Sequence, residues 1–259
     1  MLLENKPRVR FNKNPLIEVV AQFRFALVDD SVHKPETLIR IHDRVRAELP
    51  LFNKVKSLDI HVNTETQSVE QVEQFVYEFS SLNGEIKLSF DGQALTCITN
   101  KYSSKENFFK YIFLFYETLV DVLELSQITR VGLRYKDVIQ RSNLGSDLVN
   151  ADWEELLNDS LIPLLINKEF GDSVSGFQNQ FIIDITKNDK LQANCFLAKH
   201  SKNKELCFVV DSDFYTEGVM GYDSAKDFLN RANVYARNFF QWCIKPKLYD
   251  ALDPEPVSE

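Results

Sequence analysis

The sequence predicts an α+β fold: two pseudo-duplicated β-α-β-β-β-α units, with antiparallel sheets backed by helices. Three observations predict it. Ile128–Ile139 (ITRVGLRYKDVI) reads as a strand with an arginine between two large apolar residues, and Glu18–Leu27 (EVVAQFRFAL) is an earlier echo of it. Each opens a run of about 100 to 130 residues in which a helix, several strands and a long final helix follow. Asn83-Gly84 and Asp91-Gly92 join alternating segments with hairpin turns, which makes those strands antiparallel. The boundaries follow: a basic arm at 1–14, a first unit at 15–126, a second unit at 127–247 and an acidic tail at 248–259. Chance likeness of two unrelated α+β units is the competing account, because short periodic segments resemble one another easily.

The elements run as follows. The arm carries Lys6, Arg8, Arg10 and Lys13 without a clear period. It is either a solvated terminus or a contact for an acidic partner. Asn14-Pro15 turns the chain into a strand with Val19, Ala21, Phe23, Phe25 and Leu27 on one face. Lys34–Leu49 reads as a helix, with Pro35 near its start and a stripe of Leu38, Ile41, Val45 and Leu49. Strands are predicted at Val55–Asn63, Val69–Ser80, Ile86–Phe90 and Ala94–Tyr102. Lys105–Leu125 is a long helix whose apolar residues, Phe108 to Leu123, cover more than one stripe. Such a helix needs burial on two sides, by the other half of the chain or by a second subunit. In the second unit, Asp152 is the expected N-cap of a helix reaching Leu165, with Pro163 kinking or shortening it. Phe177–Thr186, Leu191–His200 and Glu205–Asp213 are the strands. The last helix starts at Tyr222 or Asp223, lines Phe228, Ala232, Tyr235, Phe239 and Trp242/Cys243 along one face, and stops before Pro246. The tail DALDPEPVSE reads as loose.

Composition narrows the function classes. Hydrophobic residues make up 44% and aromatic residues 12%, enough for a folded core. Twenty Phe against two Met make that core stiff and aromatic. Eight Gly, none clustered, leave no phosphate-cradling loop. A net charge of −8 disfavours broad nucleic-acid binding, which needs many Lys and Arg on phosphates. Cys97, Cys195, Cys207 and Cys243 form no CxxC pair and sit among apolar neighbours. No signal peptide is recognisable, so reduced, buried thiols in a cytoplasmic chain are expected. No apolar run approaches the ~20 residues of a membrane span.

Candidate site residues are few. Arg24 and Arg134 point away from the apolar side of their strands, as do Glu78 and Asp184 on theirs. Two readings stand. The arginines, with Tyr135, Glu78 and Asp184, mark a surface for a carboxylate, a phosphate or a protein partner, since arginine offers a planar fork of donors. Alternatively, Arg24–Glu78 and Arg134–Asp184 are cross-strand ion pairs that set register. Asp211, Asp213 and Glu217 lie around the expected end of a strand, where carboxylates can hold a divalent ion or simply be solvated. His33, His42, His61 and His200 make no HExxH and no i, i+4 helical pair. No serine-nucleophile pattern is present. No catalytic residue, metal ligand or cofactor is therefore predicted.

Three stretches carry a family likeness: NPLIEVVAQFRF, RVGLRYKDVI and ARNFFQWCIKPKL. Together, in this order along the whole chain, they resemble a sporadically distributed bacterial family of about this length, which has no assigned function. Its marks are an N-P-x-x-E strand opening, a G-L-R-Y strand and a terminal helix ending in F-x-x-x-I. Gly132, Leu133, Arg134 and Tyr135 match the middle mark; Asp137 stands where that family often has Asn. The resemblance implies no catalytic residue, and its patchy distribution is similar to that of mobile-element and phage-defence genes. The expectation is a non-enzymatic interaction protein (an adaptor, inhibitor or sensor) with a protein partner or itself as a homodimer. The alternative is a domain binding an anionic small molecule or nucleotide through Arg24 and Arg134.

Overall fold

A computed structural model describes residues 4–26, 30–63, 68–125 and 127–257. The chain is α+β. The elements are β1 (Val9–Phe11), β2 (Leu16–Phe25), α1 (Pro35–Val45), β3 (Leu51–Asn63), β4 (Ser68–Ser80), β5 (Ile86–Phe90), β6 (Ala94–Thr99) and α2 (Lys105–Leu123). Then follow β7 (Ile128–Ile139), α3 (Trp153–Leu156), β8 (Gln178–Asp184), β9 (Asp189–Lys199), β10 (Leu206–Met220), α4 (Tyr222–Cys243), α5 (Pro246–Ala251) and β11 (Pro254–Pro256). Nine strands make one antiparallel sheet in the order β3-β4-β5-β6-β2-β7-β10-β9-β8, and β1 pairs with β11 in a second sheet. In each half of the order, the last strand of a meander returns beside the strand that opened it: β6 beside β2, and β10 beside β7.

The chain divides into two compact units, one of Val20–Gly132 and Glu217–Lys226, the other of Met1–Val19, Leu133–Thr216 and Asp227–Glu259. In the first, alternation puts Phe23, Phe79, Phe90 and Leu95 inside with α2, which buries Phe108, Ile112, Phe115 and Leu119, and buries Tyr77 beside His33. Phe79 meets Phe115 edge-on at 4.8 Å, a favoured aromatic geometry. On another side α2 meets its own chain: Tyr222 stacks on Tyr116 and meets the edge of Phe113, beside a cavity lined by Tyr116, Glu117, Val120, Asp121 and Tyr222. In the other unit, α4 lays Phe228, Ala232, Tyr235, Phe239 and Cys243 on Leu191, Ala193, Cys195, Val210 and Phe214, all buried. Cys97, Cys195, Cys207 and Cys243 are buried free thiols.

Several expected elements differ. The helix after Asp152 stops at Leu156, although Asp152 stands at its N-cap as expected and donates its N–H to Glu155 Oε1 (3.4 Å). Leu157 turns extended to bridge Ile244, and tertiary pairing overrides helix continuation before Pro163 is reached. β10 runs through Asp213 to Met220 instead of ending there. The tail is not loose. Pro246 opens α5, as proline suits the first helical turn. β11 then pairs with the basic arm, placing Arg10 opposite Glu255. Asn12 donates to Asp253 (3.0 Å) and to Glu255 (2.9 Å), so the arm and the tail are joined by strand pairing and by an amide side chain.

Candidate functional site

Strand alternation decides which side chains the helix-free face of the sheet presents. β7 buries Val131, Leu133, Tyr135, Asp137 and Ile139 toward the helices and turns Arg134, Lys136 and Val138 the other way. β10 buries Phe208, Val210, Ser212 and Phe214, and turns Asp211, Asp213 and Tyr215 outward. Across the ladder, Asp211 lies opposite Asn194 and Asp213 opposite Gln192. β8 adds exposed Gln178, Gln180, Ile182 and Asp184. The result is a surface of amides and charges that also holds the cross-strand pair Val209 and Phe196, with no helix over it among the described residues.

At its centre Arg134 clasps Asp211 with two parallel N–H donors, Nε to Oδ1 at 2.6 Å and Nη2 to Oδ2. That hydrogen bonding, despite partial burial, holds the guanidinium above its ordinary value, and the charges of Asp211, Glu18 and Asp213 add to it. Asp211 is a mid-strand, buried carboxylate, not the loop acid expected. Arg134 therefore carries a filled fork in an acidic setting. Tyr135 is buried on the opposite face, where its hydroxyl accepts from Asn233 Nδ2 at 2.7 Å.

In the other unit Arg24 is exposed. Its Nε donates to Gln22 Oε1 at 3.1 Å, and Arg130 Nη1 reaches the same oxygen at 3.4 Å. Gln22 in turn donates to Thr96 Oγ1 at 3.0 Å. Neither predicted arginine–carboxylate pair forms. Strand β4 stands three places from β2, so Glu78 pairs with Lys87 at 2.6 Å. Asp184 lies on edge strand β8, where its neighbour is Lys190 at 4.0 Å. Arg130 was not singled out from sequence. The available signal was its spacing of four from Arg134, which on a strand means the same face.

Two buried acids also escaped the sequence reading. Asp189, which falls between the predicted strands Phe177–Thr186 and Leu191–His200, is 3% exposed and accepts from Arg231 Nε (3.0 Å), Arg231 Nη2 (3.2 Å) and the Tyr235 hydroxyl (3.1 Å). Asp137 is also buried. Burial, and then the charge of Asp211, push its carboxyl up to about 8. Burial raises the thiols as well, Cys195 to about 12, which makes them poor nucleophiles.

Among the described residues no group of His, Cys, Asp and Glu is placed to hold a metal ion. His33 meets the Tyr77 hydroxyl (2.8 Å), His42 the Pro50 carbonyl (3.2 Å) and His200 Asn203 (2.8 Å); the His61 side chain lies outside the described residues. Among the described residues no helix is long and apolar enough to cross a membrane. A comparison of the chain with protein-family models and with curated proteins finds no match.

Proposed function

We propose that this chain is a non-enzymatic bacterial interaction protein, an adaptor, inhibitor or sensor, that engages its partner through the helix-free face of the sheet. One observation carries the reading: β7, β10, β9 and β8 present Arg134–Asp211, Gln192, Asn194, Gln178 and Gln180 as a broad polar surface. Amides and a self-neutralised ion pair suit protein recognition, where polar groups confer specificity without a large desolvation penalty. The family likeness adds a phage-defence or toxin-control setting to the proposal. Native mass spectrometry of the protein purified from its own host tests it. The expected result is a companion protein that is lost in Asn194→Trp and kept in Ile39→Glu, a change on exposed helix α1. Turnover of a nucleotide or nucleic acid that one point substitution abolishes would overturn it.

A second reading, binding of an anionic ligand, is supported by a different pair of arginines from the one expected. Arg24 is exposed and shares one oxygen of Gln22 with Arg130, and an exposed guanidinium offers its planar fork of donors to a carboxylate or phosphate. Phosphate or a nucleotide should raise the melting temperature in the wild type and not in Arg24→Ala or Arg130→Ala. An equal shift in all three proteins removes this reading.

A further inference from the structure

We propose that edge strand β8 is a self-association surface, pairing antiparallel with β8 of a second copy of this chain. β8 is the last strand of the sheet. Its backbone shows which groups are unused. The Leu197 N–H donates to the Phe177 carbonyl (3.0 Å) and the Ile185 N–H to the Asp189 carbonyl (2.9 Å). Both bonds fall in the β8–β9 register that sets Gln178 opposite Phe196 and Asp184 opposite Lys190. In an antiparallel ladder, residues directly opposite alternate between bonded and non-bonded pairs. Asn179, Phe181 and Ile183 therefore bond to β9. Gln178, Gln180, Ile182 and Asp184 turn their N–H and C=O groups to the free edge.

Those four residues are self-complementary. A two-fold axis through Phe181 pairs Gln178 with Asp184 and Gln180 with Ile182 of the second copy. Every outward N–H and C=O of the segment then finds a partner. Shifting by one residue sets outward groups against spent ones, and centring on Gln180 or Ile182 leaves one outward residue on each strand unmatched. The same register opposes no like charges, because Asp184 is the strand's only charge.

The other edge strand contrasts with it. β3 carries Lys54 and Lys56, so a two-fold axis at Val55 would set lysine against lysine. Lysine on an edge is a common guard against strand addition. β8 has no Lys, Pro or Gly. Its helix-side residues Phe181 and Ile183 are only half-buried, whereas Leu191 and Ala193 on neighbouring β9 are buried, and Ile182 is 60% exposed on the opposite face. A second β8 covers apolar surface on both faces of the strand.

Sedimentation velocity on the full chain, from micromolar to near-millimolar concentration, tests the pairing. A concentration-dependent dimer is expected. Ile182→Pro removes an outward donor and leaves the β8–β9 ladder intact, as proline is tolerated on an edge with its nitrogen facing out. It should weaken the dimer roughly 30-fold with an unchanged circular dichroism spectrum. Independently, Phe181→Cys places a thiol on the axis, where directly opposed residues sit within disulfide reach. Mild oxidation should give a covalent dimer, and Val55→Cys on β3 should give none. A wild type that stays monomeric throughout overturns the proposal, as does a dimer that fails to cross-link through Phe181→Cys.

Discussion

Two acids that differ in surroundings set opposite limbs of the pH profile. Asp137 sits among the core side chains beneath β7, so burial and the nearby Asp211 charge raise its carboxyl to about 8. A folded-state value above the unfolded one favours the protonated, folded protein. The associated stability is whole below the unfolded value near 3.8 and is lost as pH rises toward 8. Glu205 is the reverse case. Partial burial opposes its ionisation, but the Ser142 hydroxyl and amide, Gln140 and Asn203 donate to it and draw it down to about 2. Its contribution is present above 4.5 and lost as pH falls toward 2. Chemical denaturation across pH should show the wild type losing stability between mildly acidic and alkaline conditions. Asp137→Asn should flatten that limb, with its gain largest above pH 8 and of order a few kcal/mol. Glu205→Gln should leave the alkaline limb unchanged and flatten the acid one. An alkaline limb that persists in Asp137→Asn would assign it to another group.

At the level of single elements, one carboxylate of the sheet takes three donors from α4. Asp189, the first residue of β9, takes two donors from Arg231 and one from Tyr235, a turn further along the same helix. Asp189→Ala leaves the Tyr235 hydroxyl and the Arg231 guanidinium without their acceptor. Because Arg231 is half-exposed, water recovers part of the loss, and a cost of about 2 to 3 kcal/mol is expected. Hydrogen exchange should quicken at the start of β9 and around Arg231, and remain slow in β5 and β6. The same contrast marks what was legible in the sequence. Hairpins at Asn83-Gly84 and Asp91-Gly92 were, because each glycine takes a positive φ, 69° and 91°, that few other residues adopt. The one-sided stripe of α4 and the alternation of β2 and β7 were legible for the same reason: local period fixes which face is buried. Asp189, Asp211 and the end of α3 were not. An Asn-Asp dipeptide signals a turn, and only the placing of α4 against the start of β9 makes the aspartate an anchor. Arg134 was correctly singled out as outward-facing, but its partner depends on which strand lies beside β7, and strand order is a non-local property.

For the whole chain, the two ends belong to the unit that most of the second half builds. That unit combines Met1–Val19 with Leu133–Thr216 and Asp227–Glu259. The first segment is fastened at several points. The Lys6 N–H donates to the buried side chain of Asn238 (3.0 Å), and Gln241 donates to the Pro7 carbonyl (3.0 Å). Phe11 meets Phe240 and Tyr249 edge-on, β1 pairs with β11, and the Val138 N–H donates to the Pro15 carbonyl (2.9 Å). A boundary at 126/127, natural from the order of elements, parts the arm from residues with which its contacts group it. Residues 127–259 expressed alone should keep helical circular dichroism but unfold without a sharp transition. Asn238 then loses its buried donor, Phe240 and Tyr249 lose their cover, and β11 becomes a bare strand, each a cost of about 1 kcal/mol or more. A synthetic peptide of residues 4–19 added in trans should restore a cooperative transition, and the same peptide with Phe11→Ala should restore it less well. Sharp unfolding of the fragment without the peptide would show that the second half folds independently of the arm, with the strap added only afterwards.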